Sequence, residues 1–315
     1  MPGPPPRPAR AALALAVLAV AAAGCARQAT EGLPPGVGVE DLPESEGWDV
    51  DFRTSADGRP QFEVRAPYLA RYTRDSAYVY LGPPPGAATA APVSLRLYGD
   101  GGADRGSVRA PEVWLYESDG RVVAEGGARA TVRSNGGAQV DAQRIAVSGA
   151  RVEATGDVRA VQSGEGGAQV QAARVTLEDG RIEASGGVRG SVQTGGGAQI
   201  EAARLVTRPG GAFTASGGAT VRIGGRAQAT VRARTVSGSG GRYVAEGGVR
   251  VQTSGGRTLE AGRVVWDEGA GRFSAPGPFA FDGPGARIRG VGLSATADLS
   301  RYTFRRASGQ VEVTE

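Results

Sequence analysis

The chain has no histidine, no lysine, a single cysteine and only 6% aromatic residues. Each shortage closes off a class of function. Without histidine it lacks the commonest general base and the commonest metal ligand. One cysteine cannot form a disulfide within the chain. All 36 basic residues are arginine, scattered singly and opposed by 32 acidic residues, for a net charge of +4. With no basic run or tail, that balance does not mark a nucleic-acid partner. The glycine-rich stretches lack the GxGxxG and GxxxxGK[ST] patterns of phosphate loops, so they read as turns. Adjacent carboxylates such as Glu178 and Asp179 fall at expected turns, with no base or nucleophile beside them. No catalytic constellation, cofactor or metal site is expected, and the chain does not read as an enzyme.

A long hydrophobic run is also missing. The apolar stretch at residues 11–23 has thirteen residues, short of the roughly 20 that span a bilayer. It follows Arg7 and Arg10 and leads into Ala22, Ala23, Gly24 and Cys25. That order reads as a signal peptide over residues 1–24, with Cys25 at the position a bacterial lipoprotein signal acylates. An ordinary cleaved signal with a chance cysteine is the alternative. Residues 25–47 are rich in Pro, Gly and Glu without periodicity and read as a flexible tether.

What the chain does have is a repeat. GGAQVDAQRI starts at Gly136, GGAQVQAARV at Gly166 and GGAQIEAARL at Gly196, a step of thirty residues each time. Degenerate copies extend it both ways, with the pattern apolar, any, Ala or Gly beginning at Val64, Val108, Val140, Val170, Ile200, Val231, Leu259 and Ile288. A second element, Ala followed by a glycine-rich pair and an apolar residue, starts at Ala124, Ala154, Ala184, Ala215 and Ala245. Fifty-two glycines disfavour helix, since each interior Gly costs about 1 kcal/mol there. Alternation with period 2 predicts strands, with Val170, Ala172, Ile182, Ala184, Val188 and Val192 inward in the unit from Gly166. Turns are expected at Glu178-Asp179-Gly180 and Thr194–Gly197, and a bulge or sheet corner at Ser185-Gly186-Gly187. The result is an elongated all-β domain over residues 48–315. It comprises about eight two-strand repeats of about 30 residues, roughly sixteen strands. The proline-rich insertion from Gly82 to Pro92 reads as an exposed loop, and Trp48, Trp114 and Trp266 read as caps on the ends of a thin core.

Several lines of sequence resemble the OstA-like lipopolysaccharide-export family, which includes LptC and LptA. They are DGRPQFEVRAPYLARY from Asp57, VRAPEVWLY from Val108, AEGGVRV from Ala245, LEAGRVVWD from Leu259 and IRGVGLSA from Ile288. Their order along the chain is also the family's, and together they span about residues 48–315. The resemblance implies a half-open antiparallel β-jellyroll, or β-taco, whose apolar cleft shields the acyl chains of lipid A. It implies a periplasmic location and edge-strand pairing with other OstA-fold bridge proteins. It further implies contact with an inner-membrane export ABC transporter. Cys25 would stand in for the transmembrane helix usual in LptC, with the inner membrane implied and the outer membrane the open alternative.

On that reading the inward column Val108, Val140, Val170, Ile182, Val188, Ile200, Val231, Leu259 and Ile288 would line the lipid groove; otherwise it is the packed face of a sheet. Arg144, Arg174, Arg204 and Arg263 form a second column, expected to be a solvated face paired with Asp141, Glu201 and Glu260 on neighbouring strands; contact with phosphate or carboxylate groups of a glycolipid is the alternative. The competing function is a structural β-solenoid lipoprotein with a filled core and no ligand.

Overall fold

The computed structural model describes residues 42–311, apart from residues 74–76, 88–89, 134–136, 165, 194–196 and 225–227. The expected signal peptide, Cys25 and most of the tether lie outside the described residues. Twenty strands follow one another. The first unit holds β1 (Ser45–Ala56), β2 (Arg59–Tyr72), β3 (Tyr78–Gly82), β4 (Val93–Tyr98), β5 (Asp104–Ala110), β6 (Glu112–Tyr116) and β7 (Arg121–Val132). The regular repeats hold β8 (Ala138–Ser148), β9 (Arg151–Gln162), β10 (Ala168–Glu178), β11 (Arg181–Val192), β12 (Ala198–Thr207), β13 (Phe213–Ile223) and β14 (Ala229–Ser239). The last stretch holds β15 (Arg242–Thr253), β16 (Thr258–Asp267), β17 (Arg272–Gly283), β18 (Ala286–Thr296), β19 (Tyr302–Thr303) and β20 (Arg306–Val311). The fold is nearly all antiparallel β, and all the strands belong to one sheet. β1 starts at Ser45, three residues ahead of the expected boundary at 48.

From β7 to β18 each strand pairs with its two sequence neighbours, as in a meander. The first unit shows the same ladder with its strands broken. The N-terminal part of β2 pairs with β4 and its C-terminal part with β3. Farther along, β4 pairs with β5, β3 with β6, and both β5 and β6 with β7, which closes a ring of six strands. The breaks lie at the proline-rich insertion and at Pro111. They account for most of the excess over sixteen strands. The described part of the insertion is mostly exposed, as expected of prolines that cannot donate to a ladder.

Every long strand is creased near its middle. In β11 the register shifts between Ser185 and Val188, opposite a shift between Gln171 and Arg174 in β10. Gly186 and Gly187 have φ of +86° and +71°, a region costly for residues with a side chain. Space adds a second constraint at Gly186 alone. A Cβ there would lie 2.7 Å from the Cβ of Ala173, whereas one at Gly187 would meet nothing within 4 Å. The same positive-φ pairs recur at Gly126-Gly127, Gly217-Gly218 and Gly247-Gly248. On the partner strands the inward residues step by three across the crease, as from Ala142 to Ile145, Ala172 to Val175 and Ala233 to Val236. Lost alternation on one strand and a glycine bulge on the next bend the sheet along a single line.

The crease divides the sheet into two wings. The first wing ends at strand ends such as Val132, Ala138, Gln162 and Ala168, and the second in tight turns such as Asp179-Gly180, whose two positive φ values match a primed hairpin turn. Their inner faces meet in a single hydrophobic core. In the first wing one cross-strand row runs Phe52, Val64, Leu95, Val108, Ala130, Val140, Ala160, Val170, Gly190, Ile200, Val221, Val231, Val251, Leu259, Phe281 and Ile288. Its side chains are smallest between Ala130 and Gly190. There the wings approach closely, and a Cβ on Gly190 would lie 3.1 Å from Leu205 Cδ2 of the other wing.

Wing tips also touch. Gln162 donates to the Gly180 carbonyl at 3.0 Å, and a Cβ on Gly166 would lie 2.3 Å from the Gly211 nitrogen. The interior is therefore closed from about β9 onward. At the C-terminal end larger side chains fill it, with Trp266 packed on Phe273 at a centroid distance of 4.6 Å.

Substitution at the crease should separate its two constraints. Gly187→Ala is expected to cost about 1–2 kcal/mol, the left-handed backbone penalty alone. Gly186→Val should cost more, because the clash with Ala173 is added. Thermal unfolding of both variants checks this, and equal losses would contradict the crease geometry.

Candidate apolar cavity between the wing tips

At the N-terminal end the wings do not close, and a mainly apolar cavity of ≈ 190 Å³ lies between their tips. The first wing contributes Phe62, Leu95, Leu97, Val108 and Ala130, and the second Leu115, Val122, Val147 and Val152. Tyr116 and Arg121 stand at its rim, with the guanidinium 4.2 Å from the ring centroid. The cavity pinches out toward Gln162, Leu177 and Gly180, where only ≈ 20 Å³ remains. Pockets that enclose a drug-sized ligand run to roughly 300–1,000 Å³, so this space suits one chain and not several. A second concavity, ≈ 600 Å³, runs along the outside of the crease and is lined by polar and charged residues such as Asp141, Gln143, Asp157 and Arg159.

Among the inward column, Val108, Val140, Val170, Ile182, Val188, Ile200, Val231, Leu259 and Ile288 are all between 0 and 5% exposed. Only Val108 lines the cavity. The others are core, packed against the opposite wing.

The arginine column differs from expectation in its partners. Arg144 pairs with Glu125 at 3.0 Å, Arg204 with Glu183, and Arg263 with Glu246 at 2.7 Å. Asp141 pairs instead with Arg129, Glu201 with Arg222 at 2.9 Å, and Glu260 with Arg250 at 3.5 Å. The crease is the reason. It falls between Asp141 and Arg144, before Arg174 and between Glu201 and Arg204, so these acids lie on one wing and the arginines of the neighbouring strands on the other. Arg174 lies opposite Thr155 and Ser185. These exposed pairs contribute at most about 1 kcal/mol each.

The tryptophans are not a set of caps. Trp266 is buried in the core, whereas Trp48 is 61% exposed and Trp114 faces outward. They belong to an aromatic face on the outside of the second wing that period-2 reading missed. Trp48 meets Tyr68 at 5.6 Å, Tyr68 meets Tyr80 at 6.3 Å, and Tyr80 meets Trp114 at 5.6 Å. Beside them Tyr72 stacks on Tyr78 at 4.8 Å, and Tyr78 meets Tyr116 at 6.0 Å. Val64 and Ala66 point inward, and unbroken alternation would send Tyr68 inward too. The crease at Pro67 reverses the faces, so that Leu69 packs on the core and Tyr68 lies on the opposite face, buried beneath Trp48, Tyr80 and Glu46. An i, i+3 step from Ala66 to Leu69 was the available signal.

No family model matches the chain, and no curated protein matches it in sequence. Among the described residues no helix is long and apolar enough to cross a membrane, and no three His, Cys, Asp or Glu side chains gather as a metal site.

The aromatic face carries the main pH sensitivity. Burial and a hydrogen bond to the Glu46 carboxylate push the Tyr68 phenol far above its ordinary range. Burial and the charge of Glu112 push Tyr80 up to about 12. A phenol raised in this way stabilises the fold fully below its unfolded value of 10.0, and that stabilisation is lost as pH rises through about 12. At the acid end, hydroxyl hydrogen bonds from Ser300 and Thr296 lower Asp298 from 3.8 to about 2, so its contribution is present above 3.8 and lost as pH falls toward 2. With no histidine to titrate between, the melting temperature should be flat from about pH 5 to 9 and fall above about pH 10. Tyr80→Phe should flatten part of the alkaline fall. A transition centred between pH 6 and 7 would contradict this assignment.

Proposed function

We propose that this chain is a membrane-anchored periplasmic lipid-binding bridge component that shields lipopolysaccharide acyl chains on their way to the outer membrane. The observation that carries the reading is the apolar cavity between the wing tips. It lies at the N-terminal end, where the wing tips stay apart, and its lining is mainly apolar, with Phe62, Leu95, Leu97, Val108, Leu115 and Val147 among the lining residues and Arg105 and Arg121 the charged ones. Two further features support it. Among the described residues the sheet ends in edge strands, β1 paired with β2 alone and β20 with β18 alone, and free edges are templates for adding another strand. The order of sequence lines shared with the OstA-like family supplies the substrate class. Cys25 supplies the anchor, other OstA-fold proteins the edge partners, and an inner-membrane export ABC transporter the source of lipid.

Space for one chain sets a condition on this function. Shielding several acyl chains at once requires the wings to part beyond β9, against contacts such as Gln162 to Gly180.

The filled interior favours a second reading. Val170, Ile200 and Leu205 are sealed by the protein's own side chains, as in a structural scaffold that carries no ligand. The two readings part at the cavity.

A photo-crosslinking residue at Leu97 or Val132, both lining the cavity and only partly buried, should trap lipopolysaccharide in cells. The same residue at Gln171, on the outer face, should not. The purified protein should also bind a fluorescent fatty acid that lipid A displaces. Adducts confined to Gln171, with no fatty-acid binding, would leave the scaffold reading standing and remove the transport one.

A further inference from the structure

We infer that the outer aromatic face of the second wing docks on the interfacial zone of a lipid bilayer and holds the cavity mouth against it. The inference rests on Cys25 being the membrane anchor of the proposed function. The chain has eight tyrosines and three tryptophans, and seven of these rings form this one face. Six of the seven phenylalanines segregate the other way, the exception being Phe304, which is exposed. Phe52, Phe62, Phe213, Phe273, Phe279 and Phe281 all pack in or against the core. Rings with a polar edge, set outside while the purely apolar ones go inside, are what a surface with one wet and one apolar side selects.

The approach of the chain fixes which surface that is. The segment entering the fold runs along β2, with the Glu44 N–H donating to the Arg71 carbonyl at 2.8 Å. That contact lies at the wing tip beside Tyr72, Tyr78 and Tyr116. Leu42 follows Cys25 by seventeen residues, a separation of at most about 60 Å whatever their conformation. A bilayer holding Cys25 is thus kept within range of this face, and a tethered face needs little affinity of its own to stay docked.

Orientation and charge complete the case. Tyr116 and Arg121 belong both to the aromatic face and to the cavity rim, so docking presents the cavity opening to lipid. Acidic groups around the face include Glu44, Glu46 and Glu117, two of them paired with Arg71. Attraction to anionic headgroups is therefore not what would hold it, and insertion of rings among zwitterionic lipids is. On the other wing Arg65, Arg109, Arg129, Arg159 and Arg189 share one cross-strand row, whereas Arg144, Arg204 and Arg263 on the second wing are paired with Glu125, Glu183 and Glu246.

The single cysteine makes the test possible whether or not the cell acylates it. The full chain with Trp266→Phe keeps only the two indoles of the aromatic face. Coupled through Cys25 to a maleimide lipid in phosphatidylcholine vesicles, it should show blue-shifted emission. Lipids brominated on their acyl chains should quench most of that emission, and added salt should leave the quenching unchanged. Trp48→Glu, with Trp114 as the remaining reporter, should lose it. Hydrogen exchange on the unsubstituted chain, coupled in the same way, gives a second reading, with protection expected over residues 68–82 and 112–123. Unquenched indoles and unprotected strands on a coupled protein would overturn the proposal. So would association that appears only with anionic lipid and vanishes in high salt, because the arginine row would then be the docking face. Whether Cys25 is acylated in cells is read separately, from the mass of the protein recovered from membranes, so a missing acyl group would remove the anchor without deciding the docking result.

Discussion

The crease is the constraint on which the rest of the structure depends. A flat antiparallel meander with one apolar face would leave that face in water. Bending every strand at one line lets the sheet cover itself. Glycine pairs such as Gly186-Gly187 supply backbone angles that other residues reach only with strain, and the small residues opposite them, Ala173 or Ala203, leave room for the bend. Because strands stack at about 4.8 Å, the crease has to recur once per strand, which is why the sequence repeats so closely there and drifts elsewhere.

Inner side-chain size then decides what each section of the fold can do. Around Ala160, Val170 and Gly190 the residues are small, the wings lie close, and the tips are tied together by contacts such as Gln162 to Gly180. Toward the C-terminus Phe213, Tyr243, Trp266, Phe273, Phe279 and Phe281 occupy the interior. Only over the first nine strands do the tips stay apart, and the cavity is the space they leave. Filled core and open slot are thus two sections of one architecture.

Much of this was legible in the sequence. Thirty-residue spacing, the inward column from Val108 to Ile288 and the break at Ser185-Gly186-Gly187 all follow from local chemistry, since period-2 burial and positive-φ glycine are short-range effects. Consequences of the crease for distant residues were not legible. Arg144, Arg174 and Arg204 look like partners for Asp141 and Glu201 on neighbouring strands, but the acids stand before the crease and the arginines after it, on different wings. Tyr68 reads as inward by counting from Val64, and it lies on the opposite face because the faces reverse at Pro67. Contact between the wing tips depends on loops far apart in the chain, and no local pattern encodes it. The outer faces diverge most at the N-terminal end, where the first wing carries the row from Arg65 to Arg189 and the second wing carries the aromatic rings.

The most direct measurement is native mass spectrometry of the full chain purified from cells in mild detergent. Noncovalently bound lipid at one copy per chain is the expected result, with the lipid lost when Ala130→Trp fills the space between the tips while the protein still unfolds cooperatively. A wild-type protein free of lipid, or one whose bound lipid persists undiminished in the filled variant, would contradict the assignment of that space to an acyl chain.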